Sequence, residues 1–183
     1  MSIIAKYKFD KSIYDNLIPV FNDECTGYTI NDTIEGNIVT RTIECDTLPT
    51  LMRFGETTGQ YDDSEIGAEA KSLKEILYAD ISSVTYGGYM FGGCINLTKI
   101  NTEGWNNNSL TSIRHMFFCC KSLENLDVTG LVSDTVVSVD YAFFYCSVLY
   151  NLTGLESWNT SKVTNMDNMF QNCTSLTTLD LSN

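Results

Sequence analysis

The sequence contains a single histidine, His115, which lies beside Arg114. A zinc site that uses a pair of histidines needs a second one, and a nucleophilic triad needs a serine or cysteine at a recognisable motif spacing. The sequence shows neither pattern. We therefore expect His115 to be exposed to solvent, and we predict a non-enzymatic protein without a catalytic residue, a metal site or a cofactor.

Basic residues are also scarce. The chain of 183 residues has 11 Lys and Arg against 23 Asp and Glu, which gives a net charge of -12 at pH 7. The phosphate backbone of a nucleic acid would be repelled by this charge rather than neutralised. We therefore exclude nucleic acid as a partner and interpret the acidic balance as a solubility feature.

Long apolar runs are missing as well. No run of about 18 apolar residues exists, so we predict no membrane span. Residues 1–10 alternate between apolar and polar side chains and carry charge, unlike the apolar core of a secretion signal. We expect either that a signal was removed or that the protein reaches its location by another route.

What the sequence does contain is a repeated phrase of the form Met-Phe-x-x-Cys-x-x-Leu. Its four copies occupy residues 90–97, 116–123, 142–149 and 169–176, and their cysteines are Cys94, Cys120, Cys146 and Cys173. A repeat of about this length indicates one supersecondary unit stacked on copies of itself. In a stack, equivalent thiols lie about 5 Å apart and point in parallel, which is poor disulfide geometry. We expect these four cysteines, the cysteine column, to be buried and reduced. Cys119 lies outside this column, and we expect it to tolerate a charge better than Cys120.

A short Leu-x-x-Leu or Leu-x-x-Ile segment follows each cysteine and predicts strands that stack in parallel and form one face. The Met-Phe-x-x-Cys phrase predicts a helical turn on the other face. The outward strand positions are our candidate ligand-binding residues: Lys99, Asn101, Asn125, Asp127, Asn151, Thr153, Thr178 and Asp180. The alternative, ordinary solvation of a polar strand face, is equally compatible with the sequence.

Two tryptophans, Trp105 and Trp158, suggest carbohydrate stacking at first sight. Both stand five or six residues after a strand residue, where the middle copy carries Leu131. We therefore predict that both fill the core of the stack.

Residues 1–65 do not share the repeat and predict a small α+β module. Residues 3–9 alternate as a strand does, and a hairpin turns at Gly36 and Asn37 between residues 28–30 and 38–43. A further strand is predicted at residues 51–54. Asp10 is positioned to cap a short helix, whose apolar residues are Ile13, Leu17 and Val20.

Residues 55–70 predict an exposed loop or linker. Asp62, Asp63 and Glu65 lie there, but their spacing does not match a calcium loop. A degenerate first repeat follows, with Leu73, Ile76 and Val84 at the leucine positions. We expect it to cap the stack where the stack meets the N-terminal module.

The phrase from Trp158 to Asn183 resembles the repeat of the BspA-like leucine-rich repeat family, and the likeness extends over residues 72–183. The resemblance implies an α+β fold in which residues 66–183 form a solenoid of about four repeats, the last incomplete. Most members of the family are surface proteins of bacteria and some protists that attach to host proteins or other cells. Residues 1–65 are similar to segments that precede such repeats in gut-dwelling Firmicutes and their phages.

These features predict a non-catalytic protein at a cell or virion surface that recognises a protein or a glycan through the strand face. The alternative is a structural or receptor-binding component of a phage tail, attached through the N-terminal module. Residues 179–183 begin a repeat without a following coil or polar cap. We therefore expect further repeats or a partner chain at that end.

Overall fold

A computed structural model describes residues 1–21, 28–47, 49–55, 66–105 and 108–181. The strands are β1 (Ser2–Asp10), β2 (Val20–Phe21), β3 (Thr29–Glu35), β4 (Ile38–Cys45), β5 (Met52–Arg53), β6 (Leu73–Ala79), β7 (Lys99–Ile100), β8 (Asn125–Asp127) and β9 (Asn151–Thr153). One short helix, α1 (Ala68–Ser72), precedes β6, and a 3₁₀ turn (Leu155–Ser157) follows β9.

The central feature is a five-stranded sheet of order β3-β4-β1-β6-β7. Strands β3, β4, β1 and β6 pair antiparallel, whereas β7 pairs parallel to β6. The predicted alternation of β1 is confirmed, since Tyr7 and Phe9 are buried between exposed or half-buried neighbours. A register shift between Ile3 and Ala5 leaves Ile3 exposed on the outer side.

The predicted hairpin is also confirmed. Strands β3 and β4 flank Gly36 and Asn37, with Glu35 opposite Ile38 as the last pair before the turn. Gly36 has a φ of 61°, a left-handed conformation that a residue without a Cβ adopts at little cost.

The predicted helix after Asp10 is wrong. Residues 11–19 form turns and extended chain, and the Asp10 carboxylate accepts hydrogen bonds from the Ser12 N–H at 3.0 Å and the Ser12 hydroxyl at 2.6 Å. This local bonding offers the backbone an alternative to a helix. Leu17 is nevertheless buried, while Ile13 and Val20 are exposed.

In the repeats, β6 takes the strand position of the first copy, as the degenerate pattern predicted. Strand β6 pairs parallel with β7 and β8 pairs parallel with β9. The backbones of successive copies also bond directly. The N–H groups of Gly87, Tyr89, Phe91 and Gly93 donate to the carbonyls of Ser112, Arg114, Met116 and Phe118, at 2.7 to 3.1 Å, and the same pattern recurs in the next two copies.

The Met-Phe-x-x-Cys phrases are not helical turns, which corrects that prediction. Each phrase is a series of tight turns interrupted by left-handed residues four positions apart, which exclude a right-handed helix. The non-glycine residues in that conformation are Tyr89, His115, Cys119, Tyr141, Tyr145, Asn168 and Asn172. The phrases form a column of phenylalanines in which Phe91 and Phe117 stack at 5.7 Å, Phe117 and Phe143 at 5.4 Å.

The buried cysteine column is confirmed for Cys94, Cys120 and Cys146, whereas Cys173 is half-buried. All four of its thiols are free, and the Sγ atoms of Cys120 and Cys146 donate to the carbonyls of Phe91 and Phe117 at 3.2 and 3.1 Å. Burial raises the pKa of both thiols. The expectation for Cys119 is wrong, since this residue is fully buried in a second apolar cluster with Phe118 and Phe144.

One apolar core extends from the N-terminal sheet into the repeats. Phe54 contacts Tyr7 edge-on at 4.9 Å and stacks on Phe91 of the first Met-Phe phrase at 5.7 Å. The N–H groups of Phe54 and Gly55 both donate to the Met90 carbonyl. The boundary between residues 65 and 66 stays a prediction, because residues 56–65, with the predicted acidic loop, lie outside the described residues. The prediction that the exposed loop extends to residue 70 is wrong, because α1 begins at Ala68, and Ile66 and Ala70 are buried.

Candidate functional site

Most of the predicted binding residues lie on the outward side of strands β6 to β9. They form two rows across the strands, because paired residues of neighbouring strands lie side by side. In-register parallel pairing sets Asn125 beside Asn151 and Asp127 beside Thr153. Lys99 lies opposite Glu75 on the preceding pair of strands. Since side chains alternate along a strand, residues two apart share a face, and the intervening Leu126 is buried.

These rows line a groove with a volume of about 590 Å³. Six of the eight predicted residues contribute to it: Lys99, Asn101, Asn125, Asp127, Asn151 and Thr153. Thr178 and Asp180 are exposed but lie outside this lining. A second depression of about 580 Å³ shares Asn101, Thr102 and Asp127 with the first and extends it towards Gly130 and Ser157. We call the two together the strand-face groove.

Side-chain hydrogen bonds link two residues of the groove lining to Tyr150, which lies outside that lining. The Asn151 amide nitrogen donates to the Asn125 carbonyl oxygen at 3.1 Å, and the Asn125 amide nitrogen donates to the Tyr150 hydroxyl at 3.5 Å. Tyr150 is 55% exposed at the edge of this row. Tyr150 is not among the residues predicted from the sequence, although it is an aromatic residue at a position where other copies carry Thr98, Glu124 and Thr177.

Two of the predicted residues also have a structural role. The Asn101 amide donates to the Leu77 carbonyl at 3.1 Å, and its oxygen accepts from the Glu103 N–H. One Asp127 carboxylate oxygen accepts from both the N–H and the hydroxyl of Thr129, at 2.9 and 2.6 Å. Both side chains therefore shape the turns that end their strands. Lys99, Asn125, Asn151 and Thr153 are the better candidates for ligand contacts.

The tryptophans are core residues, as predicted. Trp105 and Trp158 are 3% and 4% exposed, and their indole N–H groups donate to the carbonyls of Ala79 and Val128. Trp105 stacks on Phe91 at 5.9 Å. Neither indole face is available for a sugar ring.

The prediction that His115 is exposed is wrong. The side chain is 5% exposed, and its ring stacks between Tyr89 at 4.5 Å and Tyr141 at 4.7 Å. Burial, helped by the neighbouring Arg114 charge, lowers the pKa of His115 to about 4. The imidazole is therefore neutral at pH 7.

Arg114 and Asp140 form an ion pair at 2.9 Å beside this stack, and Asp140 also accepts a hydrogen bond from Ser138. Among the described residues, no group of three or more His, Cys, Asp or Glu side chains could hold a metal ion. Within the same residues, no helix has the length and apolar character that crossing a membrane requires.

Residues 68–183, more than half of the chain, match the family model for the BspA type Leucine rich repeat region (6 copies). No curated protein and no solved structure matches the chain.

Proposed function

The chain belongs to the BspA-type leucine-rich repeat family, and from this premise we propose that it is a non-catalytic surface protein that binds a protein or a glycan in the strand-face groove. Leucine-rich repeats of this type generally mediate protein binding, and proteins that carry them are typically surface-associated. We also propose that the stacked repeats form a right-handed solenoid, with the groove on the side of the strands.

The observation that carries the proposal is the lining of the groove. Its rows present an ammonium group, amides and a hydroxyl from Lys99, Asn125, Asn151 and Thr153 on short strands that are fixed by backbone hydrogen bonds. A site built on rigid elements holds its polar groups in place before a ligand arrives, which reduces the entropy that binding costs. Leu77 and Ile100 contribute apolar surface to the same groove.

The test uses an array of surface glycans and a panel of immobilised extracellular matrix proteins, probed with the fluorescently labelled chain. Asn125→Arg places a bulky charge in the groove and should abolish binding to whichever probe is recognised. Gln171→Arg is the matched control, because Gln171 is exposed on a turn phrase and should bind like the unmodified chain. Equal loss in both variants, or retained binding in Asn125→Arg, would place the binding surface elsewhere.

The alternative function, a structural or receptor-binding component of a phage tail, is supported by the continuity of the sheet. Strand β6 bonds to β1 on one side and to β7 on the other, so the N-terminal module and the first repeat are held rigidly together. Such a junction suits a module that attaches the repeats to a larger assembly. Co-purification of the full chain with tail particles would favour this alternative, and a chain found entirely apart from the particles would contradict it.

A further inference from the structure

The outer strand of the five-stranded sheet, β3, has one free edge. Among the described residues β3 pairs with β4 alone, at one end of the order β3-β4-β1-β6-β7. Its residues are exposed, apart from Ile30, which is half-buried. An unpaired strand edge is a template for another strand, and natural sheets usually shorten, charge or cover it. Strand β3 is seven residues long, which is enough to pair.

The hairpin fixes which backbone groups point away from the sheet. With a two-residue loop, Glu35 and Ile38 form the closing hydrogen-bonded pair. Hydrogen-bonded pairs alternate along an antiparallel ladder. The backbone N–H and C=O groups of Ile30, Asp32 and Ile34 therefore point outwards along the free edge.

The side chains of these three residues continue the apolar face of the sheet. Ile30 lies opposite Ile43 and Ile34 opposite Val39. Ile43 and Val39 are 0% and 3% exposed, whereas Ile34 is 57% exposed. The core side of the sheet thus ends with an uncovered isoleucine at the free edge.

The order of residues on β3 is self-complementary about Asp32. We propose that a second copy of this chain pairs with β3, antiparallel and centred on Asp32, which joins the two sheets into one. In this register Ile30 lies opposite Ile34 of the second copy, and Asn31 lies opposite Thr33. Three hydrogen-bonded pairs form between the outward backbone groups, and Ile34 is covered by an apolar neighbour on the core side.

The central residue does not oppose this pairing. Asp32 carries a charge, and two like charges directly opposite one another destabilise a strand pair. The carboxylate is, however, held by both Nε and a terminal nitrogen of Arg41, at 2.8 and 2.7 Å. Arg41 itself is 6% exposed and also donates to the Leu17 carbonyl. The Asp32–Arg41 ion pair lies on the core side of the sheet, so it does not block the outward N–H and C=O groups of β3.

The paired area is small, and complexes of that size are weak. A two-fold pair would, however, join two copies of the strand-face groove in one assembly, a gain that rests on the function proposed above. Binding to a surface that carries many copies of a ligand would then gain from the second contact.

Disulfide trapping tests the register. In the proposed pair, residues 31 and 33 of opposite copies form a non-hydrogen-bonded pair with Cα atoms about 4.5 Å apart, close enough for a disulfide. Asn31→Cys and Thr33→Cys are prepared as separate variants of the full chain. Under mild oxidation, each alone should give little dimer, and an equal mixture should give a disulfide between residues 31 and 33, identified by mass spectrometry. A mixture that yields no more of this disulfide than either variant alone overturns the proposal.

Sedimentation of the unmodified chain over a range of concentrations provides the second measurement. Ile34→Lys should weaken self-association at least tenfold. Val137→Lys is the control, because Val137 is similarly exposed, at 44%, but lies in the repeats, and it should associate like the unmodified chain. Self-association that Ile34→Lys leaves unchanged, or its absence in the unmodified chain, rejects pairing at β3.

Discussion

At the scale of single residues, His115 should make the stability of the protein depend on pH. Its pKa is about 4 in the folded chain, below the ordinary value of 6.5, because it is buried between two tyrosine rings. Between these values the unfolded chain binds more protons, so the free energy of unfolding rises with pH. The contribution of neutral His115 is complete above pH 6.5 and is lost as the pH falls towards 4.

The matched variant is His115→Asn, since asparagine does not titrate and accepts the left-handed conformation found here. Urea unfolding at about pH 7 and about pH 5 should show a larger loss of stability in the unmodified chain than in the variant. The carboxylates are common to both chains, so the difference isolates the imidazole. An equal loss in both would mean that His115 titrates normally when folded.

The cysteines show how far residue-level prediction could go. The repeat spacing alone predicts that Cys120 lies in the core, and its thiol is found there with a hydrogen bond to the Phe91 carbonyl. Cys119 has no periodic partner in the sequence, so its burial could not be predicted from spacing. It is buried by Phe118 and Phe144. These two residues occupy the same repeat position, which is Gly92 in the first copy and Gln171 in the last.

At the scale of elements, the phenylalanine column should carry much of the stability of the repeats. Phe117 is fully buried and stacks on rings above and below, whereas Phe170 is half-buried and stacks on Phe143 at 5.3 Å. Removing a fully buried phenylalanine costs about 3–5 kcal/mol. Phe117→Ala should fall in that range in urea unfolding followed by circular dichroism, and Phe170→Ala should cost clearly less. Equal losses of unfolding free energy in the two variants would show that stacking on both sides does not add to the stability that Phe117 provides.

The strands of the first three copies could be predicted, whereas the strand predicted at residues 176–179 is wrong and the turns could not be predicted. A strand period of two predicts that Asn125 and Asp127 point outwards, and both residues line the groove. The turn phrases looked helical because Tyr, His and Cys seldom adopt a positive φ. Residues that signal this conformation stand at the left-handed positions only in the last copy, as Asn168 and Asn172, and in the first, as Gly93.

At the scale of the whole molecule, the N-terminal sheet and the repeats should unfold together. A single apolar cluster includes Phe9 on β1, Ile76 on β6 and Phe143 in the third Met-Phe phrase. Strand β6 is hydrogen-bonded to both β1 and β7. Loss of packing at β1 therefore removes support from the first repeat, and each later copy depends on the copy before it.

The fluorescence of Trp158 can report whether a change in the N-terminal sheet affects the unfolding of the repeats. In a Trp105→Phe background Trp158 is the single tryptophan, and it contacts Phe143 at 6.2 Å, in the repeats. Phe9→Ala removes a fully buried ring from β1 and should lower the urea midpoint of Trp158 fluorescence as much as that of far-ultraviolet circular dichroism. Ile13→Ala is the control, because Ile13 is 37% exposed and should leave both midpoints nearly unchanged. If Phe9→Ala shifts the circular dichroism midpoint but not that of Trp158, the repeats fold independently of the sheet, and the shared core does not couple them.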